Sequence, residues 1–356
     1  MKKIVSSTYG LFTAFVFAMY ISFYDIYNLS SVVSVLYLGL NFIFIAFVIK
    51  RKFDKKIIIF FLLTAMFTFY LVANNALHNI DALSGAYWWL MLSFLVLFRV
   101  DMNDIKVESC LFLFLSILVL SIDAYYRFFI SDVILSRDSF YSFKYGLIGQ
   151  DSNFSGIFCI VCVSISILLW KKGMISNKIY YLFILLFVLL TVSTFSRAAI
   201  ISVFIILLLI HLHRWLVVIL ISIMPFFIIS ILSYMFSDPS AESKLELISG
   251  GADIFLNYNI KESLFGVGLG NARIGDLTPH ILLLQILLDL GLFGVFLYCS
   301  IWLCFIWIVG KDALFLLLPY SIVSLSISPL GIGVVTYTLW VFIRLSYISR
   351  SNLQTS

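Results

Sequence analysis

Apolar residues fill this chain in long unbroken runs rather than at the spacing of one helix face or one strand face. A helix needs roughly 20 residues to cross the hydrocarbon of a bilayer. Twelve runs approach that length: 5–24, 29–49, 57–76, 85–99, 110–130, 154–170, 179–195, 198–213, 215–235, 281–309, 313–329 and 331–348. The pattern predicts an all-α polytopic membrane protein of about 12 transmembrane helices, one integral membrane domain over 1–356. The tenth run is longer than one straight span needs, and Gly291 and Gly294 predict a break within it. Two long polar connections remain, 131–153 and 236–280. In the second, Asp238 and Pro239 carry the chemistry of a helix cap and first turn. Leu245, Leu247, Ile248, Ile254, Phe255 and Leu256 would let that segment lie on a membrane surface.

Composition sharpens the class. Of 356 residues, 63% are hydrophobic and 12% charged, and the mean hydropathy is +1.11. That balance excludes a soluble globular protein and leaves no polar stretch long enough for a separate soluble domain. Lys2 and Lys3 ahead of Val5–Tyr24 resemble a signal peptide, but no A-x-A site follows, so the run reads as an uncleaved first span. All five cysteines fall in apolar runs. Cys159 and Cys162 form a CxxC without histidine or carboxylate neighbours, so neither metal nor redox chemistry is expected of them.

Charge gives the orientation. With both termini in the cytoplasm, 16 of the 23 basic residues fall on the cytoplasmic side: Lys2, Lys3, Lys50, Arg51, Lys52, Lys55, Lys56, Arg99, Lys106, Lys171, Lys172, Lys178, Arg214, Lys311, Arg344 and Arg350. Cytoplasmic loops favour lysine and arginine in this way, and the bias agrees with an even number of spans. Both long connections then lie outside, and Tyr87, Trp88 and Trp89 sit where an outer aromatic belt belongs. Seven cations remain on the outer side against that bias: Arg127, Arg137, Lys144, Arg197, Lys244, Lys261 and Arg273.

Several of the outer residues could carry chemistry. Arg197, in TFSRAAII at a tight hairpin, reads either as an arginine snorkelling to headgroups or as a bidentate phosphate ligand. The adverse charge position favours the second. Asp123 and Arg127 stand at i and i+4, which suits an internal ion pair and a cavity lining equally. GLIGQDSNFSG (146–156) has the short polar residues of a helix start, with Asp151, Ser152 or Asn153 as cap. FGVGLGN (265–271) carries glycines at 266, 268 and 270. Such backbone can approach an anion or sugar closely and expose its N–H groups. Pro279 suits a helix start, which puts His280 at the mouth of a span as a candidate general base or as a structural histidine. His78 reads as structural.

These stretches resemble the O-antigen ligase/polymerase superfamily, multi-span glycosyltransferases of the inner membrane. GLIGQDSNFSG resembles the family's G-x-x-x-[DP]-x-N start of a span, and TFSRAAII its T-x-SR-[GA]-[GA] hairpin. ESLFGVGLGN resembles its P-[LF]-x-G-[VI]-G-x-G loop. His280, followed by Gly291 and Gly294, matches its H-[NSQ]-x9-G-x-x-G pattern. The resemblance covers 145–298. Ser263 stands where proline is common, and Asp289 where glutamate often stands. Nine residues from His280, Asp289 falls on the opposite helix face. Ile281 replaces the polar residue that belongs to the ligase form, which with the short chain points to a polymerase.

The resemblance implies a site on the periplasmic face. The donor and acceptor are glycans linked to undecaprenyl diphosphate. Arg197 and Arg273 would hold the diphosphate, and His280 would deprotonate or orient the acceptor hydroxyl. Arg127, Arg137, Lys144, Lys261, Gly268 and Asn271 would contact the diphosphate or glycan. Inversion at the anomeric carbon is expected, since no carboxylate pair has the spacing for retention. No metal, cofactor, nucleotide sugar or nucleic acid is called for. A chain-length regulator and a flippase are the implied protein partners. The alternatives are a ligase that transfers the glycan to lipid A core and, third, a flippase or other transporter of lipid-linked oligosaccharide.

Overall fold

A computed structural model describes residues 54–75, 88–90, 92–93, 102–130, 145–148, 151–211, 239–275, 279–328, 330 and 333–353. The first, second and ninth predicted spans, most of the fourth, His78, Arg137 and Lys144 lie outside them. Among the described residues the fold is all-helical, with no strand. Among the described residues, four stretches are long and apolar enough to cross a membrane: Lys55–Asn74, Asn103–Ile130, Ser152–Lys171 and Leu282–Val323.

The helices are α1 (Lys55–Asn75), α2 (Met102–Tyr125), α3 (Ser152–Lys171), α4 (Asn177–Ser193) and α5 (Arg197–His211). There follow α6 (Pro239–Leu256), α7 (Ile260–Phe265), α8 (Leu282–Val309), α9 (Leu314–Val323) and α10 (Gly333–Leu353). Their ends follow local chemistry. The Asp151 side chain caps α3 by accepting from Asn153 N at 2.9 Å. Asn259 and Glu262 form a reciprocal capping box on α7. α9 has 10 residues, with Pro319 inside it, and ends at the turn over Ser324–Ile327. The predicted 313–329 span is therefore not one continuous helix.

The core is centred on α3, buried around its whole circumference from Ser155 to Leu169. A helix apolar on every side belongs inside a bundle. Its hydroxyls do not break this rule, because Ser164 and Ser166 donate to their own helix at Ile160 O and Cys162 O. Around it α4 and α9 run antiparallel to α3 while α5 and α8 run parallel to it, which defines two ends. At one end Lys172 pairs with Asp312 at 2.8 Å, and Lys56 and Lys171 lie over the Trp307 and Phe315 rings. At the other end gather the α1 C-terminus, the loop after α7 and the start of α8. The expected aromatic belt is overturned for two of its members. Trp88 and Trp89 are fully buried; Trp89 donates to Leu330 O at 2.9 Å, and Gly333 packs on the Trp88 ring. Tyr87 lies outside the described residues.

Candidate functional site

Two polar junctions occupy the end opposite the lysines. The first is built on Asp123 and Arg127, the i and i+4 pair of α2. They form an ion pair of 2.9 Å, with side chains 0% and 1% exposed. A buried carboxylate must fill its lone pairs. Asp123 Oδ1 accepts from Leu147 N at 2.7 Å and Ile148 N at 3.2 Å, and Oδ2 accepts from Ser155 Oγ at 2.8 Å. Arg127 sits in a π-helical turn, Tyr126–Ile130, and donates through Nη1 to Ser193 O at 2.7 Å. The pair thus fastens α2 to the loop before α3, to α3 itself and to the end of α4. Of the two readings the sequence left open, the geometry is that of the internal ion pair. A glycan-contacting guanidinium it is not: Arg127 is turned away from the surface.

Above this clamp, two of the sequence patterns meet. Ser196 Oγ donates to Asn153 Oδ1 at 2.7 Å, and Asn153 Nδ2 donates to Asp151 at 3.1 Å. Gly156 lets α3 approach α5 so closely that a Cβ there would lie 2.7 Å from Ala199 Cβ. Between α4 and α5 the chain turns through Phe195, whose φ of 53° is unusual for a bulky residue. Backbone strain of this kind persists only where its surroundings enforce it. Here the Asn153 contact and the clamp below enforce it, and the turn presents Arg197, exposed, as the first residue of α5.

The second junction is the glycine loop. At Gly291 α8 kinks through φ 67° and ψ −172°, as predicted for that glycine; Gly294 stays helical. A kink releases carbonyls from the helical ladder, and buried carbonyls must find other donors. Val267 N donates to Leu288 O at 3.3 Å and Gly268 N to Asp289 O at 2.9 Å. The Tyr70 phenol lies 2.6 Å from Leu290 O and 2.9 Å from Phe265 O, and Asn74 Nδ2 donates to Phe265 O at 2.7 Å. The Asp289 carboxylate accepts from Gly270 N at 2.9 Å and Ala272 N at 3.0 Å. The close approach that these glycines permit is to the helix kink. The N–H groups of Gly266, Val267, Gly268, Gly270, Asn271 and Ala272 are all spent inside the protein. Gly268 therefore cannot offer its N–H to a glycan or anion, which corrects the expectation for the loop backbone.

The remaining predicted residues lie around this loop. Asn271 is exposed, and its Nδ2 donates to Val267 O at 3.0 Å. Arg273 is exposed one residue after Ala272, and Lys261 is exposed on α7. His280 is exposed between buried Pro279 and Ile281. Leu282 N donates to Ser324 O at 3.0 Å, which ties the start of α8 to the turn after α9. That turn also receives Lys244 of α6, whose Nζ donates to Ser326 at 2.9 Å. Ser202 of α5 donates to Pro319 O of α9 at 3.2 Å. Five residues back along α5, about 7.5 Å, Arg197 comes level with the same end of α9.

Beside Ile281, a groove of about 540 Å³ runs down between α8 and α9, lined by Leu282, Tyr298, Trp302, Tyr320 and Leu325 among others. Its walls are mostly apolar; the polar groups are Ser321, Ser324 and the Tyr298–Tyr320 pair, which share a hydrogen bond of 3.0 Å. On the flank, α6 and α7 expose Leu245, Ile248, Leu256 and Ile260, Ile254 and Phe255 are half-buried, and Leu247 is buried. Tyr70, Asn74 and the use of Asp289 were not foreseen. A tyrosine and an asparagine one turn apart on an otherwise apolar helix were the available signal. No family model matches the chain, and no curated protein matches it significantly.

Proposed function

We propose that the protein polymerises lipid-linked glycan repeat units in the inner membrane, by an inverting, metal-independent glycosyl transfer on the periplasmic face. The observation that carries this reading is the convergence of four sequence patterns at one end of an apolar bundle. Asn153 bonds Ser196 beside Arg197, and the glycine loop docks on the helix that starts two residues after His280. The opposite end carries the lysine cluster, which by the positive-inside rule belongs to the cytoplasm.

In this reading two exposed guanidiniums, Arg197 and Arg273, receive the diphosphate of the donor. They neutralise the charge that develops on it as the anomeric C–O bond breaks. The prenyl chain has a lane in the apolar groove beside Ile281. His280 takes the proton from the acceptor hydroxyl as that oxygen bonds to the anomeric carbon from the opposite face. Undecaprenyl diphosphate leaves.

Deletion of the gene tests the assignment. Loss of a polymerase leaves lipid A core bearing single repeat units. Loss of a ligase leaves bare core with accumulated lipid-linked polymer, and loss of a flippase traps single units on the inner leaflet. Complementation with His280→Ala or Arg197→Ala should reproduce the single-unit phenotype; full ladders from both variants would sink the site assignment.

A further inference from the structure

Asp289 is fully buried, and its hydrogen-bond partners are the Gly270 and Ala272 amides and the Gln285 side chain one turn back, not His280. Oδ2 accepts from Gly270 N and Oδ1 from Ala272 N. The loop therefore wraps a single carboxylate through two amides two positions apart, with Asn271 between them. Bonds of this kind, with an ionised acceptor, are about twice as strong as neutral ones. The next residue along the chain is Arg273. Fixing the Ala272 amide fixes the point from which that guanidinium departs. The fixed point is the helix turn just before the Gly291 kink, itself held by Tyr70 and the Gly268 amide.

We propose that Asp289 is the positioning residue of this site: it clamps the 266–272 loop so that Arg273 stands ready for a diphosphate. The role rests on the reading of Arg273 given above. It requires a carboxylate. Asparagine has nearly the same shape but offers one acceptor, and its amide would face an N–H with an N–H. Glutamate keeps both acceptors at the cost of one extra methylene.

The test uses the full chain in nanodiscs, with undecaprenyl diphosphate itself as the probe. Hydrogen–deuterium exchange should show the 266–273 amides opening at least tenfold faster in Asp289→Asn than in wild type, with most of the protection restored in Asp289→Glu. The dissociation constant for undecaprenyl diphosphate should rise about tenfold in Asp289→Asn. In an Arg273→Ala background the same change should alter it less than twofold, because a positioning residue acts only through the group it positions. A general structural defect would weaken binding equally in both backgrounds, and that result overturns the proposal. Unchanged exchange in Asp289→Asn overturns it as well. Wild-type protein that does not bind undecaprenyl diphosphate overturns the donor reading and Arg273's task in it, while the exchange arm still decides the loop clamp.

Discussion

Replacing Gly291 with alanine should undock the glycine loop from α8. At φ 67° and ψ −172° the residue occupies a region that essentially only glycine adopts, at a cost of about 1–3 kcal/mol for other residues. The added Cβ would also lie 2.5 Å from the Leu264 carbonyl and 2.6 Å from Gly266 N. Those neighbours are backbone and cannot rotate away as a side chain would. Relief comes only by parting the end of α7 from α8, which breaks Val267 N to Leu288 O and Gly268 N to Asp289 O. Each such bond contributes about 1 kcal/mol net. Those bonds are lost from any undocked loop, so the backbone strain shifts the ratio of docked to undocked loop by about 1–3 kcal/mol, roughly five- to 150-fold, and the Cβ contact adds to that. Hydrogen–deuterium exchange over 258–273 measures that ratio directly. Gly275→Ala is the control, with φ 61° but nothing within 4 Å of its Cβ, so it incurs only about 1–2 kcal/mol of left-handed strain. A Gly291→Ala protein whose loop stays as protected as wild type, or a Gly275→Ala protein that opens equally, would refute the reasoning.

Asp123→Asn should destabilise the bundle by about 3–5 kcal/mol, since it leaves Arg127 buried without its counter-charge; thermal unfolding in detergent reads this, and an unchanged midpoint would contradict the clamp. Gly156→Ala should cost about 1–3 kcal/mol by forcing α3 from α5, and a variant as stable as wild type would show that the approach is not tight. The Tyr258 phenol, which lies 3.4 Å from Leu288 O, is pushed up to about 12 by burial and by the nearby Asp289 and Glu262 carboxylates. A phenol whose folded value is raised contributes stability that is whole below its ordinary value of 10.0 and is lost as pH climbs through about 12. Loop protection should accordingly fall between those limits in wild type and show no such step in Tyr258→Phe.

The sequence made the scaffold readable because burial in lipid or in protein demands the same apolar runs. The break at Gly291, the Asp151 cap and the Pro239 start follow from local chemistry, and each stands where residue type alone would put it. What local chemistry could not supply is partnership across the chain. Helical geometry excluded Asp289 as a partner of His280 but could not point to Gly270 and Ala272, because the loop reaches that carboxylate only through the Gly291 kink and three positive-φ glycines of its own, Gly266, Gly268 and Gly270. The same gap reversed the use of the glycine loop, whose N–H groups turn to a helix rather than to a ligand. Trp88 and Trp89 show the limit of composition rules. A tryptophan near a span end reads as interfacial, yet the α10 start and Leu330 cover both.

The most direct measurement of the central claim is transfer itself. Purified protein in liposomes, supplied with undecaprenyl-diphosphate-linked repeat units from a strain lacking the gene, should extend them into a ladder of lipid-linked polymer without added metal or nucleotide sugar. His280→Ala and Arg197→Ala protein, folded and inserted equally well, should leave single units. A wild-type protein that leaves the units unextended, or a His280→Ala protein that extends them at the wild-type rate, would contradict the account.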